Sequence, residues 1–481
     1  MLMRMRAWLL PFALLPLAVA NAAVHYRLRY DAADASMAVA LCSDAAQAEL
    51  RLIADDDAPR YVSGLVRDSG APVVRAGGAW VARDWRAGEC LRYRADLGRI
   101  AAAQRPDVGW RRGDDLLTSP TLWLLQPADA GRADAEVALP AGYALSAPWQ
   151  PLPADAGARC YRIALTPLDW AATVAVGRFV EMPLALPGGT LRIAIMDGAD
   201  AAQRAALRAW LARVSQAVLD GYGRLPIPDV QVLVVPVSRR HGGDAVVFGE
   251  STRGQGHALI LRVDPAAPPE AFADDWIAVH ELSHLFHPYL GDDGRWLAEG
   301  LATYYQEVLR ARAGLIGADD AWGRLDAGFA RGRADAHPGM TLDAVSERMM
   351  DLRAFMRVYW AGTAYWLQAD AALRRASGGR LSVDVALARF RDCCLPSHRA
   401  WTPAAFVAKL DALTGGDSFA RRYRAFANAT AFPDLAPTYA ALGLRAQADG
   451  ALHIGGDVDA AALRDAIMAP SRTAGAAAVA R

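Results

Sequence analysis

The 481-residue chain sets 52 basic against 52 acidic side chains and is 53% hydrophobic, which is enough apolar material for two or three domains with real cores. Without a basic excess, no footprint marks a nucleic-acid or anionic-membrane partner, and pairs such as Arg111-Arg112, Arg239-Arg240 and Arg421-Arg422 read as solvated faces. The five cysteines leave at least one unpaired or intermolecular.

Arg4 and Arg6 precede an apolar run at 7–20 that holds Pro11 and Pro16 and ends in small residues, as a secretory signal does. A membrane span needs about 20 apolar residues, so residues 1–22 are expected to be removed rather than kept as an anchor. The strong preference for Arg over Lys and the Ala-rich sequence suggest a GC-rich bacterial source. The expectation is therefore an exported protein, periplasmic or secreted. Its mature chain would hold 50 basic and 52 acidic residues, a net charge near −2. Export permits disulfides, and Cys42 with Cys90, both in the strand-rich N-terminal part, is the first expected bridge. Cys393 and Cys394 are adjacent and are given no metal role.

From about 24 to 188, short alternating runs such as 25–30 and 48–53 are broken by Gly, Pro and Asp, the punctuation of a β-rich domain, expected at 23–188. Pro187-Gly188-Gly189 marks the expected boundary. Strands follow at 191–195, 230–235 and 258–263, with a helix at 202–219 and a loop at 223–228. These belong to a core expected at 189–320. Beyond it the apolar spacing of three and four, through 356–373 and 403–413, predicts a helical domain at 321–445. Residues 446–481 form an extension whose small-residue-rich end, from 469, is expected to be disordered. The fold class is α+β.

Within the core stands His280-Glu281-Leu282-Ser283-His284. Residues four apart share a helical face about 6 Å along the axis, so both imidazoles can converge on one metal while Glu281 projects beside it as a base. Pro288 disfavours helix at His287, and Gly291-Asp292-Asp293-Gly294 supplies a turn before a second helical run. Two antiparallel helices so joined bring Glu299, in Trp296-Leu297-Ala298-Glu299-Gly300, level with His284. Gly300 would let those two backbones approach closely. The predicted ligand set is His280, His284 and Glu299 around one zinc per chain, with a fourth position open to water. His287 shares the face of His280 and His284, but seven residues from His280 is about 10 Å, too far for all three to hold one ion. It reads as a support for the site or as the helix end. Leu290, where metzincins need His, excludes that class.

The motif, the run Trp296 to Tyr305, the Tyr359-Trp-Ala-Gly362 helix and the Gly378-Gly379-Arg380-Leu381-Ser382 turn resemble the glycyl aminopeptidase family of gluzincin metallopeptidases over about 190–445. The resemblance implies a thermolysin-like catalytic core, zinc at the three ligands, Glu281 as general base and Tyr359 as a hydrogen-bond donor to the transition state. By itself Tyr359, like Tyr365, reads as a core aromatic. The interval from His284 to Glu299 is shorter than the family's, and its Gly-Gly-Leu-Glu-His element is absent as such. Phe248-Gly249-Glu250-Ser251 occupies its place, where Glu250 either binds a substrate's free amine or is an exposed carboxylate. The reading is a zinc aminopeptidase acting on peptides, with an endopeptidase using the same site, or a catalytically silent zinc-stabilised binding protein, as alternatives.

Overall fold

The computed structural model describes residues 24–153, 159–238, 244–447 and 451–470. The expected leader at 1–22, Arg239-Arg240 and the chain end from 471 lie outside the described residues. No helix among the described residues is long and apolar enough to cross a membrane.

The fold is α+β, with a β-domain first and helices last. In the strand Val24–Asp31, Tyr26, Leu28 and Tyr30 are buried while Arg27 and Arg29 are exposed, the period-two alternation of a half-buried strand. It pairs antiparallel with Ser36–Ser43 and parallel with Arg132–Ala138 inside a seven-stranded sheet. Two four-stranded sheets complete the domain around Trp80, Trp85, Trp123 and Trp149. Cys42 and Cys90 are directly opposed on neighbouring antiparallel strands and form the expected bridge. Cys393 and Cys394 are bridged to each other, and Cys160 is the free thiol.

The core is a mixed five-stranded sheet in the order Glu181–Leu186, Gly189–Ile195, Asp229–Pro236, Ala258–Val263, Val246–Thr252. Its central strand, Asp229–Pro236, is buried along nearly its whole length because both faces are covered. The turn at Pro187-Gly188 lies within this sheet. It closes an antiparallel hairpin between the first two strands, so the core sheet begins at Glu181, ahead of the expected boundary. One face of the sheet packs on Leu117, Ala175 and Phe179 of the β-domain. The other packs on the helix Ala201–Tyr222 and the motif helix Ile277–Ser283. Arg192, almost fully buried, clamps the β-domain to the core: it donates to the carbonyls of Ala147 (2.7 Å) and Trp149 (3.0 Å) and pairs with Asp229 and Glu181. A buried charge needs that many partners to offset its lost hydration.

Arg295–Arg312 is the helix that carries Glu299, and Phe355–Ser377 crosses it. The crossing is tight because Gly300 meets Gly362. A Cβ on Gly300 would lie 2.3 Å from the Gly362 carbonyl carbon, and one on Gly362 would lie 1.8 Å from the Trp296 carbonyl oxygen. The close approach expected of Gly300 is therefore made to the Tyr359 helix and not to the motif helix. Leu444–Ala446 and Leu452–Ile454 pair as a hairpin, and the helix Val458–Met468 buries Ile467 and Met468, with Arg312 donating to the Ile467 carbonyl at 2.9 Å. Its apolar face has the protein core to cover it, which a short Ala-rich helix needs in order to persist.

Candidate metal centre

Ile277–Ser283 continues through a tighter turn at His284–Phe286, and the chain becomes extended at His287, just before Pro288, as the proline requires. His280 and His284 point to one side and meet Glu299 of the returning helix. Their facing atoms form a triangle: His280 Nε2 to Glu299 Oε2 3.2 Å, His284 Nε2 to the same oxygen 3.5 Å, and Nε2 to Nε2 3.3 Å. A tetrahedral zinc with bonds of about 2.0–2.1 Å spaces its ligand atoms about 3.3–3.4 Å apart. The three groups could hold one metal ion at that spacing.

The hydrogen bonds behind the imidazoles agree. The Pro288 carbonyl can only accept, so His287 Nδ1 is the protonated nitrogen in its 2.7 Å contact. Burial lowers the pKa of His287 well below the usual range, and the nearby charges of Arg253 and His284 add to this. The ring is thus neutral, and its Nε2 accepts from His284 Nδ1 at 3.1 Å. His280 Nδ1 donates to Gln306 Oε1 at 3.0 Å, while the Gln306 amide donates to Glu307, itself paired with the buried Arg310. Both histidines therefore turn an Nε2 lone pair toward the same point, which is how ligating histidines are oriented.

Arg253 fixes the end of the motif helix, donating to the carbonyls of His284 (2.6 Å) and His287 (3.3 Å). Burial pushes its pKa down to about 10, which leaves it charged at neutral pH. Glu281 lies beside the triad against the edge strand Val246–Thr252. There Gly249 leaves it room, since a Cβ on Gly249 would sit 2.6 Å from Glu281 Cγ and 2.5 Å from Ile277 Cγ2. Burial pushes the Glu281 carboxyl up to about 7; the charges of Glu299 and Glu250 add to this, against His280 and the Ser251 N–H. A carboxylate with its pKa near neutrality is suited to take up and release a proton.

Burial and the two imidazoles work in opposite directions on Glu299, and the imidazoles win, holding it ionised. Burial lowers and the Glu299 hydrogen bond raises the pKa of His280, for a net rise; for His284 burial prevails. Tyr359 stacks on His280, with ring centroids 5.8 Å apart and planes at 9°, and its hydroxyl donates to Glu299. Burial pushes that phenol well above its usual pKa, aided by the charges of Glu299 and Glu281, so it remains a donor. Tyr365 is a core residue, fully buried with its hydroxyl on the Phe419 carbonyl. Glu250 is on the edge strand, exposed, yet its carboxyl is crowded enough that desolvation raises its pKa against the pull of Arg262.

Sequence reasoning missed Gln306 and Arg253 and left His287 open. Gln306 had a signal, for it follows Glu299 by two helical turns and so shares its face. Arg253 had none, since its partners are backbone carbonyls more than thirty positions away.

A β-domain, a mixed sheet backed by a His-Glu-x-x-His helix with a returning glutamate, and a helical domain together make the fold of the M1 zinc metallopeptidase and aminopeptidase N structures. The solved relatives are distant in sequence. An aminopeptidase N family protein from Idiomarina loihiensis superposes with a TM-score of 0.66 at 14% identity, covering 88% of this chain and 79% of that one. An M1 zinc metallopeptidase from Deinococcus radiodurans gives 0.52 at 16% identity, covering 86% and 94%. A mutant of the latter, bound to a Tyr-Ser-Ala substrate, gives 0.51 at 16% identity with the same coverage. No family model and no curated protein matches the sequence.

Proposed function

We propose that the chain is a zinc-dependent peptidase that removes residues from the free amino end of peptides. The observation that carries this reading is the triangle of His280 Nε2, His284 Nε2 and Glu299 Oε2 with Glu281 beside it. When bound there, zinc would acidify a water and polarise the scissile carbonyl. Glu281 takes the proton of the attacking water and hands it to the departing amine, a double role that its raised pKa favours. The Tyr359 hydroxyl, already aimed at Glu299, donates to the oxyanion that develops on the carbonyl. Export to the periplasm or medium is part of the proposal, resting on the sequence of 1–22.

The aminopeptidase element rests on Glu250, which lies close enough to Glu281 for its charge to be felt there. A mutant two-domain M1 zinc metallopeptidase of similar fold has been solved bound to L-arginine, a ligand with a free α-amine. A carboxylate pairing with an ammonium in a partly desolvated cleft contributes about 1.5–3 kcal/mol. Glu250→Ala is therefore expected to lower kcat/KM for unblocked peptides by about 10- to 100-fold, with acetylated peptides cut poorly by both forms. Peptide cleavage mapped by mass spectrometry reads this directly. Equal cleavage of acetylated and free peptides at internal bonds would transfer the assignment to an endopeptidase.

Tyr359→Phe removes one oxyanion donor and leaves the ring on His280, so turnover is expected to fall by about 10²–10³ with KM little changed. Steady-state kinetics with unaltered kcat would return Tyr359 to a packing role.

A further inference from the structure

Where the motif helix begins, an indole stands in water. Trp276 is 39% exposed, whereas every other tryptophan among the described residues is buried or half-buried. Its ring also touches the metal centre, with its centroid 5.8 Å from that of His280 and the planes edge to face at 85°. A second apolar group is exposed nearby. Met356, 37% exposed, precedes Tyr359 by about one turn, and residues three apart are neighbours on a helical face. Tyr359 lies on the same imidazole. His280 is thus bordered by an exposed indole from the core and by a face of the crossing helix that carries an exposed thioether. Apolar side chains left in water beside a site are the usual mark of a binding surface.

The indole is held in place before any ligand arrives. The N–H groups of Ile277 and Ala278 donate to the buried Asp275 carboxylate at 3.2 and 3.0 Å, and the His280 N–H donates to the Trp276 carbonyl at 3.0 Å. The backbone is fixed on both sides of Trp276, so little ordering is left to oppose binding. The other imidazole has polar neighbours: His284 donates to His287, and its carbonyl accepts from Arg253. A peptide whose scissile carbonyl sits at the triad places the residues on either side of the cut bond within one residue's length of it, about 3.8 Å between Cα atoms. Their side chains are then within reach of the ring that lies on His280.

We propose that Trp276 is a specificity-determining residue that receives a large apolar side chain next to the cut bond. The preferred substrates are then peptides with an aromatic or long aliphatic residue at that position. This rests on the peptidase reading and adds a substrate class to it, which Glu250 does not set because it addresses only the amine.

Kinetics of the zinc-loaded chain on matched peptides with Phe, Leu or Ala on either side of the cut bond test it. Wild type is expected to favour Phe or Leu over Ala at one of the two positions by about tenfold or more in kcat/KM, the scale for filling an apolar pocket. Trp276→Ala should erase most of that preference through KM, with Ala peptides cut at nearly the wild-type rate and zinc content unchanged. Trp276→Lys, at a solvent-facing position, should do the same, and Trp276→Phe should keep the preference. Absence of an apolar preference at both positions overturns the proposal, as does a preference that survives Trp276→Ala and Trp276→Lys. Equal losses on Ala and Phe peptides would also overturn it, making Trp276 a packing residue. A zinc-loaded wild type that cuts no peptide would remove the peptidase reading and this proposal with it, an outcome distinct from cleavage without preference, which removes this proposal alone.

Discussion

Glu281→Gln is expected to keep a full complement of zinc while kcat on a free-amine peptide falls by about 10³–10⁴-fold. The amide is isosteric with the carboxyl and fills the same space beside Gly249, where a Cβ would already clash, so the packing of the motif helix is conserved. The ligand triangle does not include Glu281, so nothing in metal retention depends on it. What is lost is a proton acceptor whose pKa burial has brought to about 7; general acid–base groups contribute on this scale. Metal analysis and turnover measured on the same preparation separate the outcomes. Zinc lost together with activity would make Glu281 a ligand or a fold residue, and unchanged turnover would remove it from the mechanism altogether.

The second large effect is expected at the triad. His280→Ala, His284→Ala and Glu299→Ala should each reduce zinc from about one per chain to near none and abolish hydrolysis, because three protein ligands are the usual minimum of a catalytic zinc site. Wild-type protein treated with chelator should behave alike and recover when zinc is returned. The melting temperature should drop in parallel, since an ion that binds only the folded state stabilises it by mass action. Full zinc occupancy in all three variants would refute the ligand set. A wild type whose melting point responds to zinc while no peptide is ever cleaved would instead identify a zinc-stabilised binding protein.

The groups behind the triangle widen the consequences of substitution. His284 is oriented by His287, which is oriented in turn by the Pro288 carbonyl, and His280 by Gln306. Gly300 and Gly362 let two helices touch, and that contact carries Glu299 and Tyr359 toward one another. The geometry of the centre is therefore held by three segments: the motif helix, the returning helix and the crossing helix.

Much of this was legible in the chain. The four-residue spacing of His280 and His284 fixes their common face through helical rise and pitch alone, and Pro288 with the Gly291 to Gly294 turn fixes the reversal that returns Glu299. Alternation in 25–30 and the apolar run of 230–235 announced the strands found at Val24–Asp31 and Asp229–Pro236, and the placement of Cys42 and Cys90 in one strand-rich segment anticipated their bridge. These are local signals, set by backbone geometry within a few residues.

The rest required the tertiary structure, because it depends on which distant segments come to lie side by side. No local pattern shows that Gly300 will face Gly362 rather than the motif helix, or that Arg253 will reach the carbonyls of His284 and His287. The hairpin that opens the core sheet at Glu181 was hidden because Pro187-Gly188-Gly189 serves equally as a turn and as a boundary. The helix Val458–Met468 was hidden because its stability comes from the surface it covers and not from its own Ala-rich sequence. Sequence determined which side chains can share a helical face; only the packing of the three segments decided what stands behind them, since hydrogen bonds and backbone contacts are set by approach in space and not by spacing along the chain.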